Sequence, residues 1–327
     1  MRFVVFGAGA IGGVLGARLY QGGHDVTLIA RGEHHAAIRR DGLTLETPDE
    51  RVTLPIPAAL HPGAIDWRGG EVVMLATKTQ DSAGALADLR AAAPSGVAVV
   101  CVQNGVENER LALRLFADVY AAVVMSPTAH MEPGVVQGYG TKLSGVIDLG
   151  RYPTGVDERA REIAHTIASS HYDSDARPDI MRFKYAKLVV NLGNAASAIC
   201  EPGAAREELI DRVKEEGLAA LDAAGIDHAA GDVDDVLGRW ERYGVRDIGG
   251  TPRHGSSTWQ SIARGASAIE TDYLNGEIVL LGRLHGVATP LNQALCELAG
   301  DHLRQRRPPE TLVPRHVFEH ANVAWTS

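Results

Sequence analysis

The stretch that decides the fold is Phe3-Val4-Val5-Phe6, followed at once by Gly7-Ala8-Gly9-Ala10-Ile11-Gly12. The first four residues favour a buried strand, and the pattern after the loop is helical. In a strand–GxGxxG–helix unit, the first glycine makes the tight turn and the second lets the backbone approach a pyrophosphate; the third lets the helix pack on the strand. The helix N-terminus favours that anion. The sequence therefore predicts a dinucleotide site at Gly7, Gly9, Ala10, Ile11 and Gly12, with a glycine-rich turn as the weaker alternative.

The second strand indicates which dinucleotide binds. Residues 26–30, Val-Thr-Leu-Ile-Ala, end in Arg31, where an acidic residue would accept hydrogen bonds from the ribose 2′-OH of NAD. An arginine there suits the 2′-phosphate of NADP, through charge and stacking. Glu33 comes too late to play the acidic role. We predict NADP (NADPH) as the cofactor; a solvated arginine at a strand end is the alternative.

Length and composition exclude several classes of protein. A chain of 327 residues favours two domains, and its net charge of −9 argues against nucleic acid or an anionic membrane as partner. No apolar run reaches transmembrane length. Cys101, Cys200 and Cys296 are widely spaced and odd in number, which favours buried thiols in a reducing compartment. A strand that starts at residue 2 leaves no room for a signal peptide. We therefore expect a cytoplasmic protein.

The order of elements predicts the fold class. Strand and helix alternate up to about residue 178, with later strands at 72–77, 97–102 and 121–125, and antiparallel edge strands at 134–138 and 145–150. A helix over 154–168 and a short strand near 171–173 complete this part. Helices over 180–200 and 267–286 belong to the remainder. We predict an α/β chain: a Rossmann-type doubly wound sheet over 1–178, followed by an all-helical domain over 179–327. The tail after Pro308 packs on the surface or on a partner subunit, which leaves a homodimer open.

Function in such a sheet lies beyond the carboxyl ends of its strands. One strand delivers Lys78, a cation at the rim of the cofactor site. Another delivers Asn104, which can both donate and accept a hydrogen bond, as a carboxamide or carbonyl ligand requires. A surface lysine and a plain Asn-Gly turn are the alternatives.

The predicted helical domain has its own polar candidates. Lys187, Asn191 and Asn194 fall at i, i+4 and i+7 on an otherwise apolar helix, where burying them without partners would be costly. They either line a cleft or bind structural neighbours. Ser256 and Ser257 precede a helix, and at least one of them is expected to be a helix cap.

Together these residues resemble the ketopantoate reductase (2-dehydropantoate 2-reductase) family. The resemblance covers nearly the whole chain. It rests on the glycine loop, Gly23-His24, Arg31, Lys78, Gln103-Asn104-Gly105, Lys187-Leu188, Asn191, Ser256-Ser257, Glu270 and residues 272–276.

The resemblance implies an NADP-dependent oxidoreductase. Its second domain would be like the C-terminal domain of 6-phosphogluconate dehydrogenase, with the active site in the cleft between the domains. Lys187 would be the general acid, and Lys78 and Asn104 would help to place nicotinamide and substrate. Binding of the substrate's hydroxyl and carboxylate ends would fall to Asn191, Ser257 and Glu270. We therefore predict Lys187, Glu270 and Asn104 as catalytic residues, and we add Asn194 to Asn191 and Ser257 as a substrate contact. A lysine ammonium suits the role of general acid, because it can both supply a proton and stabilise a developing alkoxide.

The chain also departs from the family pattern. Ala195 stands where the family has a second asparagine, no proline follows it, and Ser261 replaces an aspartate. One extra residue separates Ser257 from Glu270. We therefore predict NADPH-dependent reduction of a small 2-keto acid, first 2-dehydropantoate to pantoate. A dehydrogenase of another keto, hydroxy or imino acid and a non-catalytic nicotinamide sensor remain alternatives.

No metal is predicted. His316-Val317-Phe318-Glu319-His320 matches a zinc-peptidase pattern. Too little chain follows it to carry a third ligand, so a solvated terminal helix is expected.

Overall fold

The computed structural model describes residues 1–229, 244–253 and 255–325. They divide between two compact units, Met1–Lys184 with Gly231–Arg253 and Tyr185–Ala230 with His254–Ser327. The division falls between Lys184 and Tyr185, inside a helix. The domain boundary drawn from the sequence, between residues 178 and 179, stays a prediction.

The first unit is built on a seven-stranded sheet. The strands of this sheet are β1 (Arg2–Phe6), β2 (Asp25–Ile29), β5 (Ala58–Ala59), β6 (Val72–Leu75), β7 (Ala98–Cys101), β8 (Val119–Met125) and β11 (Val146–Arg151). They lie in the order β11-β8-β7-β6-β1-β2-β5. All neighbours are parallel except β11, which runs antiparallel to β8 at one edge. The chain passes from β1 to β2 on one side and returns to β6 on the other, so the switch point of this Rossmann-type sheet lies between β1 and β6.

Alternating side chains of β1 explain why the sheet is covered on both faces. Phe3 and Val5 join one apolar cluster with helix α1 (Ala10–Gln21), whereas Val4 and Phe6 join a second cluster with α3 (Thr79–Ala92). Successive side chains of a strand point to opposite faces of the sheet. A strand whose side chains are all apolar is therefore buried on both faces. The remaining helices of this unit are α2 (Gly32–Asp41), α4 (Asn108–Leu113) and α5 (Glu158–Ala168), and a 3-10 turn covers Pro62–Ala64.

A second, four-stranded sheet was not predicted. It has the order β4-β3-β10-β9 and consists of β3 (Leu43–Glu46), β4 (Arg51–Leu54), β9 (Thr128–Ala129) and β10 (Val135–Gly138). The expectation that residues 134–138 form an antiparallel edge strand is half right: β10 is antiparallel to β9, but it lies inside this sheet and is parallel to β3 on its other side. The sheet packs on α1: a Cβ added at Gly13 would lie 2.6 Å from Cγ1 of Val136.

The second unit is helical in the residues described. Its helices are the later part of α6 (Ile180–Asn191), α7 (Gly193–Ile199), α8 (Ala204–Ala223), α9 (Ser257–Ala263), α10 (Thr271–His285), α11 (Pro290–Arg304) and α12 (Arg315–His320). Helices α7, α8, α10 and α11 pack on one another around buried residues such as Leu192, Val213, Ile278 and Leu295.

Three element predictions need correction: two helices begin later than expected, and one strand is not formed. The helix expected over 154–168 begins at Glu158, because Asp157 caps it by accepting from the Ala160 N–H at 2.8 Å. The helix expected over 267–286 begins at Thr271. The strand expected near 171–173 is reduced to isolated bridges, such as Val146 with Asp173, beside a positive φ of 69° at His171.

Candidate functional site

The glycine loop follows β1 at the switch point of the large sheet. Gly7 has a φ of +107°, and a Cβ there would lie 2.8 Å from the Ala76 carbonyl, so only glycine fits. A Cβ at Gly12 would lie 2.1 Å from the Gly7 carbonyl oxygen, which is the close approach of helix and strand that the motif predicts. At Gly9, by contrast, nothing lies within 4 Å of an added Cβ. The loop is therefore sterically closed at Gly7 and Gly12, where it packs on the protein, and open at Gly9, where a phosphate would approach.

The N-terminus of α1 suits an anion. Gly9 is the N-cap with φ −71° and ψ −157°, no side chain caps this end, and the first turn holds no acidic residue. Backbone N–H groups at such an end carry a partial positive charge, and an acidic neighbour would compete for them. Gly9, Ala10 and Ile11 therefore fit a pyrophosphate group.

Arg31 lies at the end of the second strand, as predicted. It is the N-cap residue of α2, and its side chain is 75% exposed. Its guanidinium donates to Oδ2 of Asp81, in the first turn of α3, at 2.9 Å. The pair is exposed on both sides, so the arginine is held only weakly. No local sequence pattern links Arg31 to this acidic partner, which lies 50 residues away.

A polar network connects the loops after β6 and β7. Ser82 donates to Oδ1 of Asn108 at 2.7 Å, and Nε2 of Gln103 donates to the Ser82 hydroxyl at 2.8 Å. Asn108 in turn donates to the backbone carbonyl of Asn104 at 3.3 Å. Lys78, the N-cap residue of α3, and Asn104 are both half-buried on these loops. The structure thus brings the two predicted strand-end residues to neighbouring, cross-linked loops of the first unit.

Beneath these loops lies a buried lysine that the sequence analysis missed. Nζ of Lys184 donates to the Gln103 carbonyl at 3.1 Å and forms a short ion pair with Oε1 of Glu109. Both side chains are almost fully buried. Burial and the Glu109 carboxylate raise the pKa of the neighbouring Cys101 thiol well above its usual range. A charge pair at i, i+75 has no local sequence pattern, so nothing in the sequence could have singled it out.

In the second unit, α6 carries Lys187 and Asn191 one turn apart on one face. Lys187 is half-buried and Asn191 is buried. The Nδ2 of Asn191 has no hydrogen-bond partner among the described residues. A buried amide that lacks a partner is costly, so this group is a candidate for contact with a ligand.

The predicted helix over 180–200 is instead two helices, α6 and α7, separated at Leu192. The interruption is small, since Leu192 keeps helical angles of φ −59° and ψ −29°. Asn194, in α7, is half-buried and its backbone carbonyl accepts from the Ser256 hydroxyl at 3.2 Å. Ala195 is buried with 1% exposure, so of these two residues only Asn194 offers its side chain to solvent or to a ligand.

The two serines before α9 have different positions. Ser256 is the N-cap, and its hydroxyl accepts from the Trp259 N–H at 3.2 Å, which confirms that one of the pair is a helix cap. Ser257 is the first residue of α9 and is half-buried. Ser261, where the family has an aspartate, is buried and donates to the Ser257 carbonyl at 3.0 Å. Ser261 is therefore used inside its own helix.

Glu270 occupies the N-cap position of α10 and is 7% exposed. Asn275, further along the same helix, has a structural role instead. Its Nδ2 donates to the Leu192 carbonyl and to Oδ1 of Asn292, each at 3.0 Å. Asn292 donates to Oε2 of Glu216 at 2.9 Å, and the Glu216 carboxylate accepts two N–H groups at the start of α11. This network fixes the point where α6 and α7 meet.

The remaining expectations concern metal, cysteines and membrane. Within residues 1–229, 244–253 and 255–325, no three His, Cys, Asp or Glu side chains lie close enough to share a metal ion. In the zinc-like pattern, His320 bonds Glu297 at 2.7 Å and Glu319 pairs with Arg315 at 3.1 Å. The three cysteines are free thiols; Cys101 and Cys200 are buried and Cys296 is half-buried. No helix of the described chain is both long and apolar enough to cross a bilayer.

Both halves of the chain match known protein families. Residues 3–153 match the family "Ketopantoate reductase PanE/ApbA", and residues 179–302 match its C-terminal counterpart. The chain belongs to the ketopantoate reductase family. This result confirms the family resemblance seen in the sequence, the predicted fold class and the prediction that the chain is an oxidoreductase.

Individual relatives agree with the family. The chain is 31% identical to a 2-dehydropantoate 2-reductase of Halobacterium salinarum, over 91% of the chain and 97% of the relative. It is 28% identical to that of Pyrococcus horikoshii, over 91% and 96%. A crystal structure of a ketopantoate reductase from Ralstonia eutropha superposes with a TM-score of 0.78 at 30% identity, over 94% of this chain and 100% of that one. D-mandelate dehydrogenase with NADH and anilino(oxo)acetate has the same fold, with a TM-score of 0.78 at 23% identity, over 94% and 99%.

Proposed function

We propose that this member of the ketopantoate reductase family reduces 2-dehydropantoate to pantoate with NADPH. The observation that carries the proposal is the glycine loop at the switch point between β1 and β6, closed at Gly7 and Gly12 and open above Gly9. Family membership supplies the substrate class, because the curated relatives are 2-dehydropantoate 2-reductases.

The first unit holds the cofactor. The loop residues Gly7, Gly9, Ala10, Ile11 and Gly12 bind the pyrophosphate through backbone N–H groups. Arg31 binds the 2′-phosphate, since its exposed pairing with Asp81 costs little to exchange. Lys78 and Asn104, on the loops after β6 and β7, orient the nicotinamide end. NADPH supplies the hydride when it is bound.

The second unit supplies the acid and the substrate contacts. Lys187 donates a proton from Nζ to the C2 oxygen of the keto acid, so that hydride and proton together convert the carbonyl to a hydroxyl. Its positive charge also stabilises the oxygen as negative charge develops there. Asn191, whose buried Nδ2 lacks a partner in the described chain, donates to the substrate. Contacts to its hydroxyl and carboxylate ends come from Asn194, Ser257 and Glu270.

Two residues support a second candidate, reduction of a different 2-keto acid. Ala195 is buried in the helical core, and the Ser261 hydroxyl is bonded inside α9, so neither offers the polar group that the family pattern has there. A pocket with fewer polar groups favours a less polar acyl chain. The proton transfer from Lys187 would be the same. A nicotinamide sensor without catalysis is the remaining alternative.

Absorbance at 340 nm separates these candidates. Purified protein with NADPH is given 2-dehydropantoate and a panel of 2-keto acids of graded size and polarity. Fastest oxidation with 2-dehydropantoate supports the proposal. Higher kcat/KM with another acid favours the second candidate, and NADPH binding without any turnover favours the sensor.

The choice of cofactor has a separate test. Arg31→Ala removes the cation that binds the 2′-phosphate, and we expect NADPH affinity to fall about tenfold or more while NADH affinity hardly changes. Titration of each nucleotide by calorimetry measures both. Equal losses for the two nucleotides would refute the role of Arg31.

Location and assembly belong to the same proposal. We propose a cytoplasmic enzyme with a small-molecule substrate, and a homodimer as its assembly. Light scattering coupled to size exclusion tests the dimer, since a mass near the 34.8 kDa of one chain would contradict it.

A further inference from the structure

His34 lies in the first turn of α2, close after Arg31, and both of its ring nitrogens are in use. Nε2 lies 2.7 Å from the carbonyl oxygen of Ala8, in the middle of the glycine loop. The N–H of Gly134, in the loop that leads into β10, donates to Nδ1 at 2.8 Å. The ring is half-buried and packs against the ring of His130, with centroids 4.1 Å apart.

These two contacts fix the protonation state of the ring. A backbone N–H can only donate, so Nδ1 of His34 must be the unprotonated acceptor. Nε2 then carries the hydrogen and donates it to the Ala8 carbonyl, which can only accept. Burial lowers the pKa of His34, with the bond to Ala8 opposing the shift, so the ring is neutral near pH 7.

The bond from His34 orients one particular peptide group. The Ala8 carbonyl and the Gly9 N–H belong to the same planar trans peptide, in which they point in opposite directions. A carbonyl held by His34 therefore turns the Gly9 N–H the other way, at the position where an added Cβ would meet nothing within 4 Å. The peptide next to Gly9 needs such an anchor, because glycines on either side of Ala8 allow it many conformations.

Within the residues that the structure describes, His34 is the hydrogen-bond donor to the Ala8 carbonyl. The N–H of Ala8 donates to the Ile29 carbonyl at 3.2 Å, and this holds the preceding peptide. Gly134 holds the imidazole in turn, and its φ of +81° with an added Cβ 2.9 Å from that of Ala37 makes a larger residue there strained. His34 thus links the loop before β10 to the glycine loop.

We infer that His34 is a positioning residue for the dinucleotide: it holds the Ala8–Gly9 peptide so that the Gly9 N–H faces the pyrophosphate. The inference rests on the proposed binding of NADPH. It also predicts which part of the cofactor is affected. The pyrophosphate is common to NADPH and NADH, so loss of His34 weakens both, whereas loss of Arg31 weakens only NADPH.

Three variants test this inference by calorimetric titration with NADPH and with NADH. His34→Leu removes donor and acceptor, and we expect the Kd of both nucleotides to rise about tenfold. His34→Gln keeps one donor and one acceptor without a titrating ring, and we expect a Kd within about threefold of wild type. His35→Gln, the neighbouring histidine on α2, is the matched control and leaves both affinities unchanged.

The outcomes are distinguishable from failure of the proposed function. If wild type binds neither nucleotide, the proposed function fails. If wild type binds and His34→Leu binds equally well, or His34→Gln is as weak as His34→Leu, the inference is overturned. A purely structural role would lower the Tm of His34→Leu without changing the Kd measured well below that temperature.

A measurement on wild type keeps the inference testable if His34→Leu does not fold. With ¹⁵N-labelled histidine, the ring-nitrogen shifts of the apo protein at pH 7.5 report the tautomer of His34. We expect a protonated Nε2 and an unprotonated Nδ1. The opposite tautomer, or a ring exchanging freely between the two, would overturn the inference.

Discussion

Helix α6 carries two lysines one turn apart that differ in burial and lie in different units. Lys184 is almost fully buried, and Glu109 and the Gln103 carbonyl occupy its ammonium group. Lys187 is half-buried in the other unit, on the same face as Asn191. Two asparagines of the helical unit differ in their hydrogen bonds: Asn292 is fully buried and bonded to Glu216 and Val213, whereas the Nδ2 of Asn191 has no partner in the described chain.

The difference shows what distinguishes a structural polar group from a binding group. Both asparagines are buried, but the protein supplies the hydrogen bonds of Asn292 and leaves Nδ2 of Asn191 without one among the described residues. Removing a structural group should lower stability, whereas removing a binding group should lower activity and leave stability unchanged or higher.

The largest expected effect is on Lys187. Lys187→Ala removes the proposed proton donor, and we expect kcat to fall about 10²–10⁴-fold. Lys187→Arg keeps the charge but holds its proton too firmly to donate it, and should also be slow. Steady-state kinetics at 340 nm measures kcat, and the unfolding midpoint serves as the control. A variant with wild-type kcat would remove Lys187 from the reaction.

The counterpart is Lys184→Met, which leaves the Glu109 carboxylate buried without its cation. We expect a loss of about 3–5 kcal/mol in the free energy of unfolding. In Lys184→Met/Glu109→Leu neither charge remains, so most of that loss should be recovered. Urea denaturation measures both. Equal stability of the single variant and wild type would contradict the structural role of this pair.

The two asparagines give the next comparison. Asn191→Leu should lower kcat/KM about tenfold while the free energy of unfolding changes by less than about 0.5 kcal/mol or rises. Asn292→Leu deprives Glu216, Asn275 and the Val213 carbonyl of their partner and should cost about 2–3 kcal/mol. Steady-state kinetics and urea denaturation of both variants measure these two effects. If the two variants lose similar stability, the contrast between them fails.

The smallest effect is expected at Asp81, whose carboxylate pairs with Arg31 on the surface. Asp81→Asn removes a negative charge next to the proposed 2′-phosphate site, and NADPH should bind about two- to fivefold more tightly, with less change for NADH. Asp88→Asn, farther along the same helix, is the control. Raising the salt concentration should reduce the difference, because the pair is exposed.

The first unit was largely predictable because its predicted cofactor-binding residues lie close together in the sequence. The loop from Gly7 to Gly12 requires glycine for steric reasons that hold in any such unit, and Arg31 follows at the end of the next strand. The small sheet escaped prediction, since β3 and β10 are joined across a long stretch of sequence and their register follows no local pattern.

The helical unit was less predictable for a related reason. The spacing of Lys187 and Asn191 placed them on one face, but the break between α6 and α7 falls at Leu192, whose carbonyl accepts from Asn275, far along the chain. Similarly, residues Lys184 and His34 act through contacts with Glu109, Ala8 and Gly134 that become neighbours only in the folded chain.

Helix α1 lies against the large sheet through Gly12 and against the small sheet through Gly13, where even one added methyl group would overlap Val136. A helix wedged in this way has little freedom to turn about its long axis. Cofactor capture should therefore require little ordering of the chain, and calorimetry should show only a modest change in heat capacity on binding to the first unit.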